Sequence, residues 1–183
     1  MSSLKTRTHL VIPDTQAKPG VPLDHLGWIG EYIVEKKPEV IVHLGDHADM
    51  PSLSSYDKGK IQFEGRRYIA DIEEANRAFE YLNDPIVKEN KRLAKAKKAA
   101  YSPSKDILLG NHEYRIQRAV ENSSELDGTI GVHDLNYEEQ GWDVHEFLKP
   151  VKIDGIYYAH YWYNPNNGRP ISGTVENRLK TIG

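Results

Sequence analysis

The chain has 183 residues, which suits one compact domain with a hydrophobic core and is short for two. Hydrophobic residues make up 38% of it and charged residues 28%, as in a folded globular protein rather than a disordered one. The formal net charge of −3 gives no global argument for a nucleic-acid partner. Because the sequence contains no cysteine, disulfides, thiolate metal sites and cysteine nucleophiles are excluded, and any metal must bind oxygen and imidazole ligands.

The sequence gives no sign of a membrane segment. It contains no run of about 18 apolar residues, which is what spanning a bilayer requires. The polar start Met1–Arg7 lacks the apolar stretch of a secretory signal. We therefore expect a cytoplasmic protein with no membrane partner.

The first part of the chain predicts a strand, a helix and a second strand. Thr8–Ile12 is short, β-branched and stopped by Pro13, so it is predicted to be a buried strand. Leu23–Lys36 has the apolar spacing of an amphipathic helix, with Trp28 on its apolar side. Val40–Leu44 is predicted to be a second buried strand. This order is typical of a βαβ unit and of an α/β fold.

The middle of the chain predicts a loop followed by helix. Met50–Gly65 contains proline, serine and glycine and is predicted to be a loop. Arg66–Ala100 is rich in helix-forming residues, and Pro85 within it favours two helices over one. The remaining predicted elements are, in order, a strand at Lys105–Leu109, a helix from Glu113 to about Val120, a half-exposed strand at Trp142–Phe147, a hairpin of Val151–Ile153 and Ile156–Ala159 around Asp154-Gly155, and a helix at Ser172–Thr181.

Three of the predicted strands are each followed by a polar cluster. The clusters are Asp14-Thr15-Gln16, Gly45-Asp46-His47-Ala48-Asp49 and Gly110-Asn111-His112-Glu113. Ligands bind at the carboxyl ends of strands in α/β sheets, so we expect the clusters to converge in one crevice. Each cluster alone could instead be a turn or a helix cap. Together their oxygen and imidazole groups suit Mn²⁺, Mg²⁺, Fe²⁺ or Zn²⁺, and a dinuclear site is the natural interpretation.

In this order the clusters resemble the motifs of the calcineurin-like metallophosphoesterases. The family pattern is Asp-x-His, Gly-Asp-x-x-Asp, Gly-Asn-His-Asp/Glu, a lone His after a strand, and Gly-His-x-His. The chain shows the first four elements over residues 14 to 160, with Gln16 in place of the first histidine. It looks most like the small metallophosphoesterases encoded by bacteriophages, which would place it in the host cytoplasm. The resemblance implies a two-sheet αββα sandwich and a single metallophosphoesterase domain over residues 1–183.

The resemblance also implies a metal ligand at each motif position. Asp14 and Gln16 would bind the first ion, Asp46 would bridge both ions, and Asn111 and His160 would bind the second. Because an amide oxygen is a harder and weaker donor than an imidazole, Gln16 favours Mn²⁺ or Mg²⁺.

Catalytic and supporting roles are implied in the same way. His112 would protonate or stabilise the leaving oxygen, and Asp49 would orient its imidazole. Glu113 would fix the ligands without touching metal. Independently of the resemblance, Arg115 just past the third motif is a candidate for contact with the substrate phosphate, because a guanidinium can bind two phosphate oxygens at once. The alternative for such an arginine, and the more common outcome, is a solvated position on a helix surface. Further candidates for phosphate contact are Arg66, Arg67 and Arg169.

The chain departs from the family pattern at its end, since no histidine follows His160. By the family pattern we therefore expect the Gly-His-x-His motif to be missing, together with the C-terminal strands that carry it. We expect such a chain to bind metal weakly, to be sluggish alone and to associate with other copies through an uncovered sheet edge.

These patterns lead us to expect a metal-dependent hydrolase of phosphate esters with two divalent ions, Mn²⁺ foremost. A phosphodiesterase or nuclease and a phosphatase are both open, as are nucleotide and nucleic-acid substrates. The alternative is a truncated or crippled domain that acts by binding. The basic run Lys88–Lys98 could follow a nucleic-acid backbone or be a solvated helix face. Among the other histidines, His9 and His43 are expected to be packed residues, and His47 could approach the metals.

Overall fold

The computed structural model describes residues 6–166 and 169–182, so most of the polar start Met1–Arg7 lies outside the described residues. The strands are β1 (His9–Ile12), β2 (Val40–His43), β3 (Ser104–Leu108), β4 (Asp143–His145), β5 (Val151–Ile153) and β6 (Ile156–Tyr158). The helices are α1 (Asp24–Lys36), α2 (Tyr68–Lys95), α3 (Tyr114–Asn122) and α4 (Val175–Ile182).

Two sheets make up the β structure of the described residues. Strands β1 to β4 form a parallel sheet in the order β1-β2-β3-β4, and β5 pairs with β6 in an antiparallel hairpin. The predicted α/β class is confirmed. No helix among the described residues is both long and apolar enough to cross a membrane.

The parallel sheet has a buried layer on each face. One face contributes Ile41 and Ile107 to a core shared with α1 and α2. On the other face Val40, Val42 and Leu108 form a smaller cluster with Tyr158 of the hairpin. The hairpin therefore covers the side of the sheet opposite the helices.

The hairpin and its attachment to β1 follow from a few residues. Asp154 and Gly155 both have positive φ, at 50° and 87°, as a two-residue hairpin turn requires. His9 contacts the Tyr158 hydroxyl at 2.7 Å and Asp154 at 2.9 Å. Both ring nitrogens of His9 are thus occupied in tying β1 to the hairpin, which agrees with the predicted packing role.

Strand β1 is less buried than predicted. It lies at the edge of the sheet, and the Val11 side chain is 41% exposed. The prediction for Trp28 was also wrong, because this side chain is 68% exposed. Helix α1 buries Leu26, Gly30 and Ile33, and a residue two positions after Leu26 points away from that stripe. Association through a sheet edge left uncovered by missing C-terminal strands stays a prediction.

The predicted break at Pro85 is wrong, because α2 runs through it as one helix of 28 residues. Its buried stripe packs against α1, where a Cβ on Gly30 would collide with the Leu82 carbonyl and the Pro85 ring. Proline inside a helix costs about 3 kcal/mol. The close approach at Gly30 and burial of Phe79 and Leu82 offset that cost, which local propensity cannot reveal.

Candidate metal centre

The loops after β1 and β2 are joined by backbone hydrogen bonds. The Gln16 amide donates to the Asp46 carbonyl at 2.9 Å, and the Ala17 amide to the His47 carbonyl at 2.6 Å. The Asp49 amide donates back to the Ala17 carbonyl at 3.0 Å. The main chain therefore holds the first two polar clusters side by side.

Two glycines allow the loops after β2 and β3 to approach closely. A Cβ on Gly110 would overlap the side chain and the amide nitrogen of Asp46. Gly45 has φ of 98°, and a Cβ there would collide with the Leu108 carbonyl and with Gly110. Both positions require glycine, and their small size brings Asp46 against the third cluster.

The buried Glu113 carboxylate links the second and third clusters. It is fully buried and accepts hydrogen bonds from the amides of Asp46 at 3.0 Å, Ala48 at 2.9 Å and Gly110 at 2.9 Å. Burial raises the pKa of Glu113, in part against those hydrogen bonds. The Tyr137 hydroxyl lies 3.4 Å from the same carboxylate. Glu113 thus fixes the loops that carry the candidate ligands, as the sequence predicted.

Three of the predicted ligands form one cluster. One potential ligand atom from each of Asp14, Asp46 and His160 lies within 4.8 Å of the other two. Asp46 is 3% exposed and has φ of 50°. Its Oδ1 accepts the His112 amide at 2.9 Å, while Oδ2 lies 3.6 Å from His160 Nε2. The carboxylate is therefore fixed by one oxygen and faces the cluster with the other.

His160 is oriented by a main-chain contact. Its Nδ1 lies 2.7 Å from the Leu44 carbonyl and donates to it, because a carbonyl can only accept. In the neutral ring this leaves the Nε2 lone pair directed at the cluster, 3.0 Å from Asn111 Oδ1. A metal-binding histidine is commonly held in this way, with one nitrogen on a carbonyl and the other on the ion.

The chemistry of these donors fits a divalent cation. Two carboxylates, an imidazole nitrogen and the Asn111 amide oxygen meet in one place, and each can offer a lone pair. Oxygen-rich sets with one imidazole suit Mn²⁺ and Mg²⁺ and admit Fe²⁺ or Zn²⁺. A cation between His160 Nε2 and Asn111 Oδ1 would also satisfy two acceptors that otherwise face each other.

The side of the cluster that carries Asp14 and Gln16 is open. Both residues are exposed, and Gln16 has φ of 45°. The Gln16 backbone amide donates to the Asp46 carbonyl, which holds the Gln16 main chain next to the second cluster. The ligand role of Gln16 stays a prediction.

His112 and Asp49 lie together beside the cluster. His112 Nδ1 is 2.7 Å from Asp49 Oδ1, a close ion contact whose alignment falls short of a linear hydrogen bond. His112 Nε2 lies 3.8 Å from Asp46 Oδ2. Burial would lower the pKa of His112, but the carboxylates of Asp49 and Asp46 outweigh it and raise that pKa. Burial would likewise raise the pKa of Asp49, whereas His112 and Lys18 bring it down to about 2.

Two cations flank this pair, and only one was anticipated. Arg115 Nη2 donates to His112 Nε2 at 3.0 Å, and its Nη1 donates to the Asp49 carbonyl at 2.7 Å. Lys18 Nζ donates to Asp49 Oδ2 at 2.6 Å. Lys18 lies two residues after the first cluster, which is the one clue to it in the sequence, and its partner Asp49 could not be read from that position.

His47 does not face the cluster. Its Nδ1 lies 2.8 Å from the Thr15 hydroxyl and its Nε2 lies 3.0 Å from the Ala75 carbonyl, so both ring nitrogens are used. Burial lowers its pKa to about 4, which keeps the ring neutral. His43 is also fully buried and contacts the Thr15 hydroxyl at 3.2 Å, which confirms its packing role.

The basic run in α2 is partly neutralised by its own helix. Lys88 pairs with Asp84 at 2.5 Å, and Arg92 pairs with Glu89 at 2.7 Å. These contacts favour the solvated helix face over a free cationic stripe along Lys88–Lys98.

Comparison with models of known protein families, with curated proteins and with solved structures finds no match to this chain.

Proposed function

We propose that this chain is a metal-dependent hydrolase of phosphate esters with the αββα sandwich of the calcineurin-like metallophosphoesterases. The helix layer, the parallel sheet and the hairpin behind it are compatible with that architecture. The order of the four motifs along the chain supports the same assignment.

The observation that carries the proposal is the meeting of Asp14, Asp46 and His160 within 4.8 Å, with His112 beside them. These residues come from four separate segments, and burying Asp46 without a partner for its charge is costly. Asp14, Gln16 and Asp46 would hold one ion, and Asp46, Asn111 and His160 the other. Divalent ions in such a site lower the pKa of water and stabilise charge on phosphate oxygens.

The residues beside the cluster have tasks of their own in this proposal. His112 would hold a proton at Nε2 for the leaving oxygen, once substrate displaces Arg115 from that nitrogen. Asp49 stabilises the charged imidazole through Nδ1. The guanidinium of Arg115, released from His112, would contact a phosphate oxygen.

The test is Mn²⁺-dependent hydrolysis of bis-p-nitrophenyl phosphate and of p-nitrophenyl phosphate by the purified chain. Asp46→Asn should abolish turnover, while the matched change Asp127→Asn at an exposed position should leave it unchanged. Metal binding at the cluster without turnover of either ester would reject the enzyme and favour the alternative, a domain that acts by binding. No metal binding at all would reject both.

A further inference from the structure

A cavity of about 430 Å³ opens next to the candidate metal centre. Its walls come from the loop after β1, from the segment between β2 and α2, and from the first turn of α2. Asp49 and Arg115 line it as well, and both contact His112. The volume lies within the roughly 300–1,000 Å³ typical of small-molecule sites.

The cavity and the metal cluster are joined through His112. Arg115 Nη2 is 3.0 Å from His112 Nε2, and that nitrogen is 3.8 Å from Asp46 Oδ2. A ligand that places a phosphate on the cluster and extends past His112 therefore has its remaining atoms in this cavity. A small monoester would leave the cavity unused.

Most of the charges in the cavity are already paired within the protein. Asp57 binds Arg66 at 2.7 Å, and Asp49 binds Lys18 at 2.6 Å. Asp71 is 2% exposed and accepts the Ser52 amide at 2.8 Å. These carboxylates are therefore occupied and do not oppose an entering anion at full strength.

Two charged residues of the cavity lining are not paired in this way. Arg67 and Glu64 are both exposed, and neither has an ion pair or a side-chain hydrogen bond within the described part of the chain. Lys18, with a side chain 41% exposed, keeps two N–H donors beyond its contact with Asp49. The cavity thus offers cationic donors for an anion and one carboxylate for a hydroxyl or amino group. A nucleotide carries both kinds of group.

We infer that this cavity binds the non-reacting part of a phosphodiester, a nucleoside that carries a second phosphate, and that Arg67 contacts that phosphate. The inference rests on the proposed function and names its substrate class as oligonucleotide-like rather than a small phosphomonoester. Arg67 is then a specificity-determining residue, because it contacts a part of the substrate remote from the reacting phosphorus.

The test measures binding without turnover. Thymidine 3′,5′-bisphosphate is titrated by calorimetry into the full chain in EDTA, with thymidine and inorganic phosphate as comparison probes. Arg67→Gln should weaken binding of the bisphosphate about tenfold, as loss of one charge-assisted hydrogen bond does. The matched change Arg77→Gln, an exposed position further along α2, should leave it unchanged.

A second pair of variants tests the cavity itself. Ala70 lines it, so Ala70→Phe should fill the space and abolish bisphosphate binding. Ala94→Phe, at an exposed position in the same helix, should not. Bisphosphate binding no tighter than thymidine binding, or undiminished in Arg67→Gln, would overturn the inference.

Hydrolysis of bis-p-nitrophenyl phosphate separates this inference from the proposed function. Its groups carry no second phosphate, so its hydrolysis by the unaltered chain measures the proposed function independently of any contact between Arg67 and a second phosphate. Arg67-dependent binding of the bisphosphate in a chain without Mn²⁺-dependent hydrolysis would support the cavity and reject the proposed function. Mn²⁺-dependent hydrolysis together with bisphosphate binding that does not depend on Arg67 would reject the inference about the cavity and leave the proposed function standing.

Discussion

The two sides of the candidate metal centre differ in how firmly they are held. On one side Asp46 is 3% exposed, its amide binds buried Glu113, and its Oδ1 binds the His112 amide. On the other side Asp14 and Gln16 are exposed, and the Asp14 carboxylate has no hydrogen bond among the described residues. The buried side is preorganised by main-chain contacts to its carboxylate, whereas the Asp14 side chain on the open side is less constrained.

The largest effect should come from removing the support of the buried side. Glu113→Ala leaves the amides of Asp46, Ala48 and Gly110 without their acceptor, and each unsatisfied buried group costs about 1–3 kcal/mol. We expect the free energy of unfolding to fall by about 3 kcal/mol or more. Urea denaturation measures it, with exposed Glu80→Ala as the control. A loss below about 1 kcal/mol would show that the loops do not depend on Glu113.

The next largest effect should be a loss of turnover in variants of His112 and Asp49, which lie beside Asp46. His112→Ala should lower turnover by about 10²–10⁴-fold and keep metal binding, because its proposed task is proton transfer. Asp49→Asn should show a milder form of the same defect. Steady-state kinetics with Mn²⁺ measures both, and exposed His133→Ala is the control. Loss of metal from His112→Ala would make it a ligand instead.

Metal affinity should distinguish the two sides directly. Asp46→Asn should weaken Mn²⁺ binding by more than about 100-fold, beyond the usual cost of losing an outer partner of a ligand. Asp14→Asn should cost less, since water can replace an exposed oxygen ligand. Calorimetric titration with Mn²⁺ gives both values. Equal losses in the two variants would remove the difference between the sides.

The smallest effect is expected at Gln16. Gln16→Ala should weaken Mn²⁺ binding by less than about tenfold, because an exposed neutral amide is a weak donor. Gln16→His should instead raise the affinity for Zn²⁺ relative to Mn²⁺. Competition between the two ions reports this ratio. A change in the opposite direction would place Gln16 away from the ion.

Features that depend on short stretches of sequence could be predicted. Strand β2 begins with the apolar run Val40-Ile41-Val42, and Asp154-Gly155 is a dipeptide that favours a tight hairpin turn. The convergence of Asp14 and Asp46 followed from their places at the ends of parallel strands. In these cases the local signal and the tertiary structure agree.

Features that depend on distant partners could not be predicted. Pro85 stays helical because Gly30 lies against it, and His47 turns from the cluster because Thr15 and Ala75 bind its ring. Lys18 contacts Asp49 only because the loop that carries it folds against the second cluster. Each outcome is decided by a neighbour remote in sequence.

His160 reaches the cluster from the end of the hairpin β5–β6, and this origin has a thermodynamic consequence. Its Nδ1 is anchored to Leu44 in the middle of the chain, so a cation on Nε2 would fasten the hairpin segment to the sheet. By linkage, an ion at 100 times its dissociation constant adds about 2.7 kcal/mol against any opening that withdraws His160. Amide hydrogen exchange in Ile156–Tyr158 should therefore slow when Mg²⁺ is added, and exchange in the distant α2 should respond less. An ion at the centre would then lower the frequency with which the hairpin segment separates from the sheet.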